Sequence, residues 1–447
     1  MITLIEDKPV DAPPSSRIAV QIGTCVAMAA LLVYFIGLSP FSDLSDPRML
    51  DESLGKEAPV YFLVLGLAAA GAGCLYLRNL TAAISVQFTK YNAMLVAWLG
   101  LTVILSSDPN VSVRRLVLTI GTFLVASMLP WLVSGPRQLM NLLIAIAFLV
   151  LYLSYMGVAM MPGLAIHQSS DLAEPLLAGD WRGIYEHKNL TAEVMAIFVL
   201  IGWFVARMGR PLIGVPILGS ALVFLYFSGG KSALGILFVI AVIAFLVIRA
   251  RTFRMRTIIV FAPLLLAGFL TVGTTVSDLA RSIVEHLPGD PTFTGRTDIW
   301  RFAMEKMMMK PVTGYGFEAF WHSNAVVYGS EDPTQWAGTA HTSHNGYLDL
   351  ALTIGLPGLF LALIAFLVVP LYNFHHTLHH AANRSFAQLF LTIWLFLIYM
   401  SLFEAFFLSR ADQMWFMFAF VTCGLNCTSK FAIADESEDL VLAPGER

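Results

Sequence analysis

Apolar segments alternate with shorter polar stretches along almost the whole chain. Twelve such segments are found, at residues 18–38, 58–77, 91–106, 116–134, 139–160, 190–207, 212–228, 232–250, 257–276, 345–370, 386–408 and 412–429. Their lengths are close to the roughly 17–25 residues that a helix needs to cross a bilayer, and they are too long for the strands of a membrane barrel. The pattern therefore predicts an all-α integral membrane protein, a polytopic bundle of about 12 transmembrane helices.

Two polar segments, residues 161–189 and 277–343, are much longer than the others. They exceed the median connection of about 4–6 residues, and loops of such length are usually functional or disordered. The second loop, between helices nine and ten, contains a stretch with helical amphipathic spacing before Pro311. Its polar face holds Asp298, Arg301 and Glu305, and its apolar face holds Ile299, Phe302, Ala303 and Met307. We expect this helix to lie on the membrane surface or over the mouth of the bundle.

The composition supports a membrane protein and excludes other classes. Hydrophobic residues make up 57% of the chain and charged residues 13%, whereas soluble domains carry about 25% charged residues. The net charge of −3 and the lack of a long basic stretch argue against a nucleic-acid partner. All four cysteines lie in apolar segments, which argues against a disulfide framework.

The distribution of basic residues predicts the orientation of the bundle. Residues 1–17 read as a cytoplasmic tail, the bundle spans residues 18–429, and residues 430–447 form a second tail. A cluster of arginines between residues 249 and 256 is among the basic residues that this arrangement places inside. Because cytoplasmic loops carry an excess of lysine and arginine, both termini are predicted to be cytoplasmic and both long loops to be outside.

His344 and Asn345 stand where the second long loop re-enters an apolar segment. Ser343 is a plausible N-cap of the helix that follows, which would place His344 at the positive end of the helix dipole. The dipole disfavours an imidazolium, so a neutral ring would be available as a base near pH 7. Asn345 is a candidate to orient a sugar hydroxyl or the imidazole. The alternative is a loop histidine without a catalytic role.

Two cations on the outer side are candidates for binding an anion. Lys231, in FSGGKSALG, belongs to a short outer turn, and a lone cation so close to hydrocarbon usually marks a function. Arg296, in GRTDIW, lies in the second long loop. Its planar guanidinium suits a diphosphate, although an ordinary solvated arginine is the alternative.

The end of the first long loop, RGIYEHKN, forms a second candidate surface for phosphate or sugar. It contains Arg182, His187, Lys188 and Asn189. An interfacial anchor that uses the neighbouring aromatic residues is an equally good interpretation. His341 adds a third histidine on this side of the membrane, but no acidic or cysteine constellation completes a metal site. We therefore predict that no metal is bound.

The motifs along the chain resemble those of the O-antigen ligase and Wzy-type polysaccharide polymerase superfamily. His344 and Asn345 are followed by Gly355 and Gly358, with Pro357 between the glycines predicting a kink. GRTDIW at 295–300 and PVTGYGF at 311–317, which contains Gly314 and Gly316, precede them in the same order. With FSGGKSALG and RGIYEHKN, the resemblance covers about residues 181–360. The motifs GIYEHKN and GRTDIW are most similar to those of ExoQ-like exopolysaccharide production proteins.

The resemblance implies an activity, a location and roles for individual residues. Superfamily members are glycosyltransferases of the bacterial inner membrane that move a glycan from undecaprenyl diphosphate to an acceptor hydroxyl, without a metal or other cofactor. His344 would be the base and Arg296 a diphosphate ligand. Lys231 would be a weaker ligand, since many members have arginine there. Membrane lipid and other polysaccharide export and chain-length proteins are the partners that this activity suggests.

Two other functions stay open. A ligase would transfer the finished glycan to lipid A core or another terminal acceptor, whereas a polymerase extends a lipid-linked repeat. A transporter or flippase of lipid-linked saccharide is the rival from another class. Transporters place charges inside the membrane and often show internal repeats. Here we find no repeat, and Glu404 is the main charge expected inside a helix, so the pattern favours an enzyme.

Overall fold

The computed structural model describes residues 17–46, 57–76, 83–84, 87, 89–172, 174–288, 290–321, 340–378 and 381–431. Within them the protein is built from helices and contains no β-strand apart from one isolated bridge, between Ile166 and Trp181. The prediction of an all-α polytopic membrane protein is confirmed. The two predicted tails, except for the residues next to the bundle, and residues 322–339 of the second long loop lie outside the described residues.

The helices follow one another in the order that the apolar pattern predicts. They are α1 (Arg17–Ile36), α2 (Glu57–Tyr76), α3 (Lys90–Ile104), α4 (Pro109–Leu132), α5 (Pro136–Met160), α6 (Lys188–Arg207), α7 (Pro211–Phe227), α8 (Lys231–Arg249), α9 (Phe253–Leu270), α10 (Asp278–Glu285), α11 (Arg296–Met309), α12 (Gly346–Leu363), α13 (Val369–Thr377), α14 (Arg384–Met400) and α15 (Gln413–Lys430). A π-helical turn joins α12 to α13.

Each predicted apolar segment coincides with one of the long helices, the tenth with α12 and α13 together. By length and composition, eight helices of the described chain could cross a membrane. The exact count of twelve crossings stays a prediction. Helix α15 lies at the centre of the bundle, because all its residues from Met414 to Thr428 are buried. A helix that is apolar on every side belongs in such a position.

One predicted helix boundary is wrong, and it concerns Glu404. The apolar segment 386–408 predicted a helix that would enclose this residue, whereas α14 ends at Met400 and Glu404 lies in the turn before α15. Hydropathy alone extended the segment, because Leu402, Phe403 and Phe406 continue the apolar run. The carboxylate is therefore at a helix end and not inside the bundle.

Helix α12 is broken near its middle, as the Gly-Pro pattern predicts. Gly355 has a non-helical conformation (φ 70°), and Pro357 has no N–H to bond the carbonyl of residue 353. The freed carbonyls of Leu352 and Thr353 accept hydrogen bonds from the N–H groups of Tyr315 and Gly316, at 3.0 Å each. The N–H of Leu356 turns outward to the carbonyl of Pro311 (2.8 Å). The glycine motifs thus join the second long loop to the bundle through backbone hydrogen bonds.

Replacing Gly355 by alanine is expected to lower the melting temperature strongly. An added Cβ would lie 2.0 Å from the carbonyl oxygen of Val312, and the positive φ is unfavourable for any other residue. The backbone conformation alone costs about 1–3 kcal/mol, before the steric overlap is counted. Gly100→Ala is the matched control, since a Cβ added there would have no other group within 4 Å. Thermal unfolding of the two purified variants in detergent measures the difference, and equal melting temperatures would contradict the expectation.

The amphipathic helix predicted in the second long loop is confirmed as α11. It buries Ile299, Trp300, Ala303 and Met307 and ends before Pro311. Its apolar face packs on the first half of α12 through Leu348, Ala351 and Leu352. The first long loop is also folded, with short helical turns at Pro162–Ala165 and Pro175–Leu177. Both loops are therefore structured around the ends of the helices that they connect.

Candidate active site

A cavity of about 350 Å³ opens at the end of the bundle where both long loops lie. The first turns of α6 and α8 form part of its wall, and the end of α14 with the turn that follows forms another. Six of the residues singled out in the sequence line it, namely His187, Lys188, Asn189, Lys231, Arg296 and His344. The fold thus brings together side chains from four separate segments.

His344 lies just outside α12, in a conformation that non-glycine residues rarely adopt (φ 50°). Such left-handed residues are uncommon and concentrate at functional sites. The next residue, Asn345, begins the helix by accepting hydrogen bonds from the N–H groups of Tyr347 (3.1 Å) and Leu348 (3.0 Å). The prediction that Ser343 is the N-cap is therefore wrong.

Asn345 does not line the cavity, because its side chain is used within the fold. Its oxygen caps α12, and its amide nitrogen donates to the carbonyl of Leu402 (2.9 Å). Only 2% of the residue is exposed. Asn345 therefore ties the start of α12 to the turn after α14, which carries Glu404.

Glu404 is the residue that organises the site. Its Oε2 lies 3.1 Å from Nδ1 of His344. Its Oε1 accepts hydrogen bonds from Nη2 of Arg296 (2.7 Å) and from the amide of Asn189 (2.9 Å). Arg296 also donates to the carbonyl of Phe403. One carboxylate thereby connects α6, α11 and His344, which lies two residues before α12.

The charge state of Glu404 follows from these contacts. Burial raises its pKa, but the hydrogen bond with His344 and the charge of Arg296 outweigh burial and lower the pKa below its usual value. The carboxylate is therefore ionised at neutral pH and neutralises Arg296. An ionised carboxylate on Nδ1 holds the proton on that nitrogen and fixes the ring orientation. In the neutral form of the ring, the lone pair that can accept a proton is then on Nε2.

His344 differs from the neighbouring His187 and His167 in the hydrogen bonds of its ring nitrogens. Nδ1 of His187 accepts from the N–H of Asn189 (3.0 Å), and its Nε2 lies 2.5 Å from Glu174. Both nitrogens of the buried His167 are also occupied, by Asp171 (2.9 Å) and by the N–H of Lys188 (3.3 Å). Nε2 of His344 has no hydrogen-bond partner among the residues described. It is the ring nitrogen of these three histidines that is free to take a proton.

The three cations that line the cavity differ in whether they form an ion pair. Lys188 forms an ion pair with Asp180 (2.6 Å), and Arg296 forms one with Glu404 (2.7 Å). Lys231, the first residue of α8, is exposed and makes no ion pair within the described parts of the chain. Its ammonium is therefore the cation available to an anionic ligand in this cavity.

Residues 216–363 match the family model described as O-antigen ligase. This stretch, about a third of the chain, is therefore similar to the O-antigen ligase family. It contains α8, α11 and α12, and with them Lys231, Arg296 and His344. The resemblance to the O-antigen ligase and Wzy-type superfamily is thus confirmed for this part of the chain, and it supports a membrane glycosyltransferase of the ligase or polymerase type. No curated protein matches the chain.

Some of the predicted site residues lie away from the cavity. Arg182 is fully buried and donates to the carbonyls of Tyr185 (3.0 Å) and Ser42 (2.8 Å), so it joins the first long loop to the connection that follows α1. His341 is exposed and does not line the cavity. The four motif glycines do not line the cavity either. They lie in α12 and in the turn that packs on it, and they are Gly314, Gly316, Gly355 and Gly358.

Two acidic residues of the cavity were not among the predicted site residues of the chain. Glu404 stands out in the sequence only as a charge in an apolar segment, without a motif around it. Glu174 lies in the first long loop without a motif around it. The unusual position of Glu404 was a usable signal, because an acid beside hydrocarbon usually has a paired cation.

Proposed function

We propose that this protein is an exopolysaccharide polymerase at the outer face of the bacterial inner membrane. It transfers saccharide from undecaprenyl diphosphate to a hydroxyl of an acceptor sugar, with His344 as the general base. The observation that carries the proposal concerns His344 and Lys231, which line the same cavity. Among the residues that the structure describes, Nε2 of His344 has no hydrogen-bond partner and Lys231 has no ion-pair partner. The resemblance to ExoQ-like proteins supports the choice of a polymerase.

The proposed reaction moves one proton and exchanges one bond. Nε2 of His344 takes the proton of the acceptor hydroxyl as its oxygen bonds to the anomeric carbon of the donor sugar. The bond from that carbon to the diphosphate oxygen breaks, and its electrons leave with the diphosphate. The imidazolium then returns the proton to solvent. The negative charge that develops on the leaving group is stabilised by a nearby cation more strongly in the transition state than before it.

The ion pairs of the cavity decide which cation we propose as the diphosphate ligand. Arg296 was expected to bind the diphosphate, but its guanidinium is held by Glu404 and by the carbonyl of Phe403. We therefore assign it to positioning His344 through Glu404. Lys231 takes the role of the diphosphate ligand. Its ammonium would contact the diphosphate as a point charge, without the bidentate fork of a guanidinium.

Replacing Lys231 by glutamine is expected to raise the KM for the lipid-linked donor and to lower kcat, because the ammonium would contact the diphosphate both before and during its departure. A hydrogen bond to a charged group is worth about 1.5–3 kcal/mol, which corresponds to roughly 10- to 100-fold. Lys231→Arg keeps the charge and should retain most of the donor affinity. Lys90→Gln is the matched control, since Lys90 is exposed at the start of α3, away from the cavity. Steady-state kinetics with purified protein measures the effect, and an unchanged KM in Lys231→Gln would contradict the assignment.

The O-antigen ligase match makes a ligase the second candidate. The two functions differ in the product that accumulates when the protein is missing. Cells without a polymerase accumulate single repeats on the lipid carrier, whereas cells without a ligase accumulate full-length polymer on that carrier. Analysis of the lipid-linked saccharides of a deletion strain therefore tests the proposal, and full-length polymer on the carrier would overturn the polymerase assignment.

A further inference from the structure

The cavity contains a negative charge that the proposed reaction does not use. Glu174, from the first long loop, lines the cavity together with Lys231. The other carboxylate of the lining, Glu404, is neutralised by Arg296, and Lys188 is neutralised by Asp180. Lys231 and Glu174 are then the charges of the lining without an opposite charge among the residues described. The cavity therefore has a positive and a negative part.

The contact between Glu174 and His187 leaves the charge of the carboxylate in place. Because Nδ1 of His187 accepts a hydrogen bond from the N–H of Asn189, the proton of the ring is on Nε2. The ring is therefore neutral and donates to Oε2 of Glu174 (2.5 Å). This hydrogen bond lowers the pKa of Glu174, so the carboxylate is ionised at neutral pH.

One oxygen of Glu174 remains available to a ligand. Its Oε2 is bound by His187, whereas Oε1 has no hydrogen-bond partner in the described chain, and 41% of the side chain is exposed. Leu177 lies beside it in the same loop, and Phe293 and Phe403 contribute apolar surface to the cavity. A few polar groups among apolar side chains are typical of a small-molecule site. A carboxylate oxygen accepts hydrogen bonds from hydroxyl groups and repels other anions.

We propose that Glu174 recognises the saccharide in this cavity and selects neutral sugars over sugars that carry a carboxylate. This inference rests on the proposed function, because it takes the diphosphate to lie at Lys231 and the glycan to extend towards Glu174. Glu174 accepts a hydrogen bond from a hydroxyl of a neutral sugar. An acidic sugar would place a second negative charge beside it.

Binding of two simple sugars to the full-length protein in detergent tests the proposal. The probes are methyl glucoside and methyl glucuronide, which differ in one carboxylate. Two like charges a few ångström apart in a partly solvated site should weaken glucuronide binding by about 10-fold relative to the glucoside. Glu174→Gln should reduce this ratio to nearly one. Glu174→Asp, which keeps the charge, should retain most of it.

Glu285→Gln is the matched control, because Glu285 is an exposed carboxylate at the end of α10 that does not line the cavity. It should bind both sugars as the wild type does. The proposal is overturned if the wild type binds neither sugar, if it does not discriminate between them, or if Glu174→Gln keeps the full ratio. The assay involves no transfer reaction. A failure of His344 variants to stop chain growth would therefore refute the proposed function without changing these ratios.

Discussion

Replacement of His344 by asparagine is expected to lower the rate of saccharide transfer by about 100- to 10,000-fold, the usual contribution of a general base. Asparagine tolerates the left-handed backbone conformation that His344 adopts (φ 50°) better than alanine does. It removes the imidazole Nε2, which is the nitrogen free to accept a proton. We therefore expect the variant to fold as the wild type does and to fail only in transfer.

The rate is measured with purified protein and lipid-linked saccharide, by separating the products according to length. His286→Asn is the matched control, because His286 is exposed at the end of α10 and does not line the cavity. The control should transfer at the wild-type rate. If His344→Asn also keeps that rate while its melting temperature is unchanged, the base has been assigned wrongly.

Replacement of Glu404 by glutamine is expected to reduce both activity and stability. The variant leaves Arg296 without the carboxylate that neutralises it. Removal of one partner of a fully buried ion pair typically costs about 3–5 kcal/mol, and this pair, whose side chains are 14% and 16% exposed, should cost less than that. It also removes the charge that keeps the proton of His344 on Nδ1, so the rate should fall by about 100-fold. Glu305→Gln, which alters an exposed carboxylate on α11, should change neither property.

The pH dependence of stability distinguishes loss of this charge from a general defect. The folded-state pKa of Glu404 is lowered from 4.5 to about 2. A carboxylate with a lowered pKa stabilises the fold above its unfolded pKa, and this contribution is lost as the pH falls towards the folded-state value. The difference in melting temperature between the wild type and Glu404→Gln should therefore be largest near neutral pH. It should narrow as the pH falls from 4.5 towards 2, and a difference that stays constant would contradict the account.

The apolar pattern predicted the positions of the long helices because burial in lipid or in the bundle requires apolar residues over most of each helix. It could not show where α14 ends, since Leu402, Phe403 and Phe406 continue the apolar run after Met400. The amphipathic spacing of residues 296–309 also predicted α11 correctly, because burial of one helix face requires apolar residues at helical intervals. Its buried face is complementary to α12, and local periodicity records that burial.

The site was only partly predictable, because its contacts join residues far apart in the chain. His344, Arg296 and Lys231 were found from residue type and position, but the pair of Arg296 with Glu404 spans 108 residues. No local pattern indicates such a contact. Residue type also did not separate Arg182, whose partners are backbone carbonyls inside the fold, from cations of the cavity. Ser343 and Asn345 are both good capping residues, and only the geometry of α12 decided between them.

The central claim is that His344 withdraws the acceptor proton while undecaprenyl diphosphate leaves the donor. The most direct test is to measure the release of undecaprenyl diphosphate by the purified protein in lipid vesicles. The donor would be lipid-linked saccharide extracted from cells that lack the protein. We expect the wild type to release one lipid diphosphate for each glycosidic bond formed, and His344→Asn to release almost none. Release by His344→Asn at the wild-type rate, or movement of saccharide across the bilayer without any release, would contradict the account.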